Sequence, residues 1–429
     1  MSFSAALSAG RFPWMSPNTA SRIPESTGRA RWAWPVPHHD GMTSAPAPQA
    51  PEAPQAGVQG ARPIELFFDL VFVFAVTQLS GVVAHPAGPD TYVQAALMFL
   101  SLMWMYDGYV WLSSNLSFDG DLDSWLYFLA MAGFLVMAVG IPDVRGAGGR
   151  PFGLGLLLVT VIHTVMFARV PNASARAILG IAPFNVASAA LVLASTLASG
   201  ALHWALWIGG VGVLLLATVT RREQAFELSP QHFVERHGLL ILITLGESVM
   251  GLGLGVRGLV LDGPRLIYLL LGLLLAAHLW WGYFGPNHDR AEHHFISAAP
   301  ERRNRMALLG FGYLHMAMMA GIILFAAAVE VGVHEPAHHT PGVGAWNLAS
   351  GLALFYAGHV AFRRVMAVGS GWLRVLISVL CGLSVILGLT TSALGQLVAC
   401  AAVIVVITLL EDYAGLDRGA TGSGAETSP

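Results

Sequence analysis

The sequence predicts an all-α protein that spans a membrane many times, and three observations lead to that prediction. Of its 429 residues, 55% are hydrophobic and only 11% are charged, whereas ordinary soluble domains carry about 25% charged residues. Apolar stretches of close to twenty residues recur, which is the length that a hydrocarbon layer about 30 Å thick requires. The 22 basic residues fall mainly in alternate loops. We therefore predict a polytopic transmembrane helical bundle of about 12 spans.

Composition divides the chain into three segments. Residues 1–60 are rich in proline and alanine and contain no apolar stretch of spanning length, so we predict a disordered cytoplasmic tail. Residues 61–412 form the predicted transmembrane domain, and residues 413–429 a short cytoplasmic tail.

Proline, glycine and charged residues separate the apolar stretches and delimit the helices. If 177–198 and 345–362 do not cross the membrane, the count falls to ten. The predicted spans are 66–85, 92–113, 124–141, 152–168, 177–198, 202–219, 236–255, 266–285, 306–328, 345–362, 373–390 and 394–411.

The arginines predict the orientation. If the N-terminus lies inside, 18 arginines fall on the inner side, and only Arg145, Arg150, Arg257 and Arg265 fall outside. Cytoplasmic loops of membrane proteins carry such an excess of basic residues. We expect both termini to be cytoplasmic.

Four acids are predicted to lie at membrane depth, and they are the main candidates for function: Glu65, Asp69, Asp107 and Glu247. A charged group at the bilayer centre costs at least about 2.5 kcal/mol and usually faces a cavity or a partner. We expect no arginine at comparable depth, which would leave these acids short of counter-charges.

Glu65 and Asp69 lie four residues apart at the start of the first span, and hence on one helical face. They are candidates for an ion or solute site. The structural alternative is an anchor and helix cap paired with Arg62, because negative charge in a first turn suits the helix dipole.

The seventh span combines a polar start with a deep acid. Ser229 and Pro230 predict a helix start, and Glu235 and Arg236 follow at the interface. Glu247 lies eleven residues beyond Arg236, roughly 16 Å along a helix and close to the bilayer midplane. Glycines around it would allow close backbone packing. We expect Glu247 to line a polar cavity facing the other acids; a protonated structural glutamate is the alternative.

Asp107 and one histidine complete the set of candidates. Asp107 lies in the inner half of the second span and His315 inside the ninth, although a lone buried histidine is more often a hydrogen-bonded core residue. The histidine-rich loops match no zinc spacing, so we predict no metal site. No motif for a cofactor occurs, and a net charge of -3 without a basic block argues against nucleic acid.

Two segments resemble the bacterial low-temperature-requirement A family: residues 65–75 (ELFFDLVFVFA) and residues 232–249, which include HFVERHG and LGESV. Both occur in the expected order and spacing. The resemblance implies a multi-pass membrane protein over about residues 60–412, without a settled biochemical activity. It implies motif positions at Glu65, Phe68, Asp69, Glu235, Arg236, Gly246 and Glu247.

The start of the first span is also similar to the Phe-Ser-Asp opening of a twelve-helix, two-repeat potassium channel family, with Phe68 in place of the serine. Twelve spans would allow a parallel repeat of six plus six helices. In that arrangement the Glu65–Asp69 span would match the Glu247 span, although the sequence offers no convincing internal alignment.

Three functions remain open. The first is a secondary transporter or channel for a cation, proton or small solute, using embedded carboxylates. The second is a membrane-embedded enzyme acting at the cytoplasmic lipid interface. The third is a non-catalytic scaffold or sensor for growth at low temperature. The bilayer itself is the one partner that all three require.

We predict that reporter fusions at the C-terminus report from the cytoplasm and fusions in the 331–344 loop report from the opposite side. The reason is the bias of 18 arginines against four. Paired fusions of a periplasmic and a cytoplasmic reporter measure this, and a periplasmic C-terminus would overturn the orientation.

Overall fold

The computed structural model describes residues 61–115, 120–170, 173–220, 229–285, 287–338, 342–369 and 371–413. Within them, the secondary structure is helical and contains no strand. The predicted N-terminal tail lies outside the described residues, and so does the predicted C-terminal tail apart from Tyr413. An all-helical bundle is thus confirmed for the part of the chain between them.

The helices follow one another with short connections. They are α1 (Pro63–Ala84), α2 (Pro89–Ser113), α3 (Asp121–Gly140), α4 (Gly149–Ala168), α5 (Ala173–Ser195), α6 (Gly200–Thr220), α7 (Pro230–Gly255), α8 (Gly263–Phe284), α9 (Asn287–Ser297), α10 (Pro300–Met306), α11 (His315–Gly332), α12 (Gly342–Val365), α13 (Trp372–Leu383), α14 (Val385–Thr390) and α15 (Ala393–Tyr413). A 3₁₀ turn at Ile141–Asp143 follows α3, and a π-helical turn at Ala307–Leu314 joins α10 to α11.

Proline marks several helix starts, because it lacks an N–H and its fixed φ suits the first turn. α1, α2, α7 and α10 each begin with one. The predicted start of α7 at Pro230 is confirmed. Ser229 occupies the N-cap position, but its side chain makes no capping bond there. Its backbone oxygen accepts the N–H of Phe233 instead.

Ten helices in the described residues are long and apolar enough to cross a membrane. The other two predicted spans, 177–198 and 345–362, coincide with α5 and α12, which are helical but outside these ten. In α12, buried Asn347, His359 and Arg363 lower the hydropathy. The chain is a multi-pass helical bundle, and the count of twelve stays a prediction.

The described helices pack in nearly the same order twice. α1 packs on α2 and α3, α3 on α4, α4 on α5, α5 on α6, and α2 on α6. In the second half α7 packs on α8 and α11, α11 on α12, α12 on α13, α13 on α15, and α8 on α15. This packing order makes α7 the counterpart of α1 and is what a parallel six-plus-six repeat requires.

α1 lies at the junction of these halves, in contact with α2, α3, α7, α11 and α12. Its side chains meet those of α7 in increasing order along both helices: Glu65 with His232, Asp69 with Arg236, and Thr77 with Glu247. α1 and α7 therefore run parallel, which brings their N-terminal ends together.

Glycines on one face of α7 allow α11 to approach closely. A Cβ atom at Gly251 would lie 3.0 Å from the backbone oxygen of Ala326, and one at Gly255 would lie 2.5 Å from that of Glu330. Nothing lies within 4 Å of a Cβ at Gly246 or Gly253. The glycines around Glu247 thus divide into two that face α11 and two that face open space.

We predict that Gly255→Ala destabilises the bundle by about 1–3 kcal/mol, because the added methyl group overlaps the α11 backbone. Gly253→Ala is the matched control, since it has the same chemistry in the same helix without a neighbour. Thermal unfolding of the detergent-purified proteins measures the difference. Equal melting temperatures for the two variants would contradict this packing.

Candidate functional site

The N-terminal ends of α1 and α7 place acids and bases at equivalent positions. Each helix begins with proline, and the third and seventh residues are Glu65 and Asp69 in α1 but His232 and Arg236 in α7. His232 Nε2 lies 3.0 Å from Glu65 Oε2, and Arg236 donates to Asp69 Oδ1 at 2.7 Å. The parallel register of the two helices produces both acid–base pairs.

Glu65 is fully buried and has several partners. Besides His232, its Oε2 accepts the backbone N–H of Arg62 at 2.7 Å, so the predicted capping role is present. Ser114 Oγ lies 3.1 Å from the other ring nitrogen of His232. Glu65 therefore combines the capping contact with a contact to His232 on α7.

Asp69 forms the pair that sequence reasoning did not foresee. Its Oδ1 accepts the hydroxyl of Tyr106 at 2.8 Å as well as the guanidinium of Arg236. Arg236 is 0% exposed, and its guanidinium lies 5.9 Å from the centre of the Tyr106 ring. The expectation that no arginine lies as deep as the acids was wrong, because the matched helix starts bring Arg236 to the depth of Asp69.

Asp107 faces a histidine that the sequence did not single out. His237 Nε2 lies 3.6 Å from Asp107 Oδ1, while the other ring nitrogen lies 2.8 Å from the backbone oxygen of Phe233. His237 is one residue beyond Arg236, in the same polar segment. The contact of His237 with Asp107 arises because α2 packs against α7. The spacing of residues within α7 does not predict it.

His315 is fully buried and follows the π-helical turn. The Tyr283 hydroxyl lies 2.8 Å from its Nε2, and the Gly310 oxygen lies 2.9 Å from its Nδ1. A carbonyl can only accept, so Nδ1 carries the hydrogen and Nε2 accepts from Tyr283. The ring centre of His315 lies 5.4 Å from that of His237, next to the Asp107 pair.

Glu235 and Glu247 lie apart from these residues. Glu235 is exposed and accepts the backbone N–H of Ala61 at 2.9 Å. Glu247 is 2% exposed and accepts the hydroxyl of Thr77 at 2.6 Å. Thr77 lies on α1 eight residues beyond Asp69, roughly 12 Å farther along that helix. The hydrogen bonds and ion pairs of the described residues do not join Glu247 to the other three acids.

The remaining residues form one buried group, which we name the acid–base cluster: Glu65, Asp69, Asp107, His232, Arg236 and His237. Five atoms in it lack a hydrogen-bond partner among the described residues: Asp69 Oδ2, Asp107 Oδ1, Arg236 Nε, Arg236 Nη1 and His237 Nε2. An unpaired buried polar atom typically costs about 1–3 kcal/mol. The cluster can therefore form further hydrogen bonds, and its carboxylate oxygens and His237 Nε2 can take up protons.

The cluster combines three carboxylates with an arginine and two histidines. In the described residues, no group of three or more His, Cys, Asp or Glu side chains is placed to hold a metal ion. The positive charge of Arg236 between Glu65 and Asp69 opposes a metal cation there.

Comparison with known proteins places the chain in a family. Residues 60–409 match the family of bacterial low temperature requirement A proteins (LtrA). This protein belongs to the LtrA family. A relative, the uncharacterized protein RA0937 of Rhizobium meliloti (strain 1021), is 25% identical over 319 residues, which is 70% of this chain and 76% of the relative. Family membership agrees with the multi-pass bundle.

We predict that Arg236→Met costs this LtrA protein about 3–5 kcal/mol of unfolding free energy, because it leaves Asp69 charged and buried without its partner. The double variant Asp69→Asn with Arg236→Met should recover much of the loss, since no unpaired charge then remains.

The control is Arg169→Met, which breaks the partly exposed pair with Asp123 and should cost less than about 1 kcal/mol. Unfolding of the purified proteins in detergent measures all three variants. A loss at Arg236 no larger than that at Arg169 would show that the buried pair does not hold the bundle together.

Proposed function

We propose that this LtrA protein is a secondary transporter of the bacterial inner membrane that moves a proton, another cation or a small solute. The observation that carries the proposal is the acid–base cluster with its five unpaired buried atoms. Such atoms destabilise a purely structural core. In a transporter, however, such atoms can bind an ion or a proton and release it again.

The packing of the two halves supports the same proposal. Transporters built from repeats bind their substrates where the repeats meet, and α1 and α7 are equivalent helices that meet at the cluster. We infer twelve spans with both termini in the cytoplasm. The support is the bias of the arginines together with the helical state of α5 and α12.

Glu247 supplies a further carboxylate at another depth of the same helix pair. It is buried against Thr77 on α1, and neither Arg nor His contributes to its hydrogen bond. We propose that the acid–base cluster and Glu247 act at successive positions on one transport route. An embedded acid with a hydroxyl as its neighbour is typical of proton and ion pathways.

A second candidate function is a membrane-embedded serine hydrolase. Ser114, His232 and Glu65 follow one another at 3.1 and 3.0 Å, which is the succession of nucleophile, base and carboxylate used in acyl transfer. The hydroxyl of Ser114, however, also donates to the backbone oxygen of Val110 at 2.9 Å. The hydroxyl proton of Ser114 then points away from His232, so the histidine does not take it up in this geometry. The geometry therefore favours transport over hydrolysis.

We predict that purified protein in liposomes supports flux of protons or of a solute driven by a pH gradient, and that Glu247→Gln abolishes the flux while the protein stays folded. Glu247→Asp should retain part of the flux, because the charge remains but retracts by one methylene. A pH-sensitive dye inside the liposomes measures proton movement.

Glu335→Gln is the control, since Glu335 is exposed in a loop far along the chain and should leave flux unchanged. Wild-type flux in Glu247→Gln would contradict the role of Glu247, whereas loss of folded protein would make it a structural residue. Labelling by a fluorophosphonate probe that disappears in Ser114→Ala would favour the hydrolase. Folded protein with neither flux nor labelling would favour a scaffold.

A further inference from the structure

The hydrogen bonds of His237 assign a hydrogen to one of its two nitrogens. Nδ1 lies 2.8 Å from the backbone oxygen of Phe233. A carbonyl oxygen can only accept, so Nδ1 carries a hydrogen in both charge states of the ring. In the neutral ring, Nε2 is therefore a bare lone pair.

That lone pair faces a carboxylate. Nε2 lies 3.6 Å from Asp107 Oδ1, and neither atom has a hydrogen-bond partner among the described residues. Two acceptors that face each other in a buried site repel. One proton removes the repulsion, whether it rests on the ring or on the carboxyl group. The Asp107–His237 pair is therefore built to hold one proton.

The neighbouring Glu65–His232 pair differs because its hydrogen bonds are already complete. There the ring nitrogens lie 3.0 Å from Glu65 and 3.1 Å from Ser114 Oγ, and Glu65 also accepts the N–H of Arg62. Each polar atom of that pair is already bonded. Asp107 Oδ1 and His237 Nε2 have no hydrogen bond yet. A proton can therefore bind between them and leave again with little rearrangement.

The surroundings of the pair favour a proton over a metal cation. Arg236 adjoins His237 in the chain and keeps a positive charge beside the site. The side chain of Asp107 is 15% exposed, and its Oδ2 lies next to Gly312 of the π-helical turn. Among the other titratable groups, His315 of α11 contacts His237, with their ring centres 5.4 Å apart. The groups that contact neighbours of the pair are Glu65 and Asp69 of α1, Tyr106 of α2, His163 of α4 and Tyr283 of α8.

We propose that Asp107 and His237 together form the proton-binding site of this protein, with one exchangeable proton per chain. This inference rests on the proposed transport function, for which it names the coupling ion. A proton from water forms an N–H bond at Nε2 of His237 and is held by Asp107 Oδ1. Its release breaks the same bond and returns the proton to water.

The test is nitrogen NMR of protein labelled at its histidine rings and reconstituted in nanodiscs, between about pH 5 and about pH 9, where histidine charge changes. We expect one buried histidine to titrate and its signal to vanish in His237→Asn. Asparagine keeps an N–H donor for the Phe233 oxygen but cannot take up a proton. In Asp107→Asn the titration should move to lower pH, because the acceptor loses its charge.

His203→Asn is the matched control. This histidine is buried elsewhere in the bundle against the Ser195 oxygen, and its loss should leave the His237 titration in place. If His237→Asn does not fold, Asp107→Asn alone still tests the proposal through the shift. A His237 signal that does not move over this range, or one that is the same in wild type and Asp107→Asn, would overturn it.

Flux measurements on the same variants separate this inference from the proposed function. Titration at His237 without any flux in the wild-type protein would retain the proton site and refute transport. Proton-driven flux that persists unchanged in both variants would retain transport and refute the assignment of its proton site.

Discussion

The hydrogen bond between Arg236 and Asp69 joins the two helices around which the rest of the bundle packs. α1 contacts five other helices, and its parallel register with α7 is fixed where these two side chains meet at 2.7 Å. A shift of α7 by one residue would turn Arg236 by about 100°. Two buried charges would then be separated, at a cost comparable to the whole stability of many domains.

The polar groups beside this pair divide into those whose hydrogen bonds are complete and those with unpaired atoms. Glu65 and His232 are bonded on all sides and behave as a fixed part of the framework. Asp107 and His237 keep unpaired atoms within reach of each other. Different residues of the cluster thus stabilise the helix contact and offer a place for a proton. Protonation of the Asp107–His237 pair does not require the helices to separate.

Much of the fold could be predicted from the sequence, because helix length and apolar content are local properties. The start at Pro230, the burial of Glu247 and the helices at 66–85 and 236–255 all follow from such local patterns. By the same local criterion, the polar segment around Arg236 is predicted to be interfacial. Its true depth depends on which helix α7 adjoins and in what register.

The candidate site was predicted less completely than the fold. Glu65, Asp69, Asp107 and Arg236 come together, but no local pattern in the chain distinguishes His237 or Tyr106 as their partners. Glu247 could be identified by its depth, yet its partner Thr77 is an ordinary residue in an apolar helix. Partners across helices depend on tertiary packing, which periodicity within one helix does not encode.

The opposite charges at equivalent positions have a consequence for how such a chain can be assembled. A dimer made from two copies of the first six long helices would set Glu65 against Glu65 and Asp69 against Asp69. Like charges in a buried contact cost several kcal/mol. The two halves are therefore not interchangeable, because the acidic start of α1 pairs only with the basic start of α7. Since both halves belong to one chain, each acidic half always has a basic half as its partner.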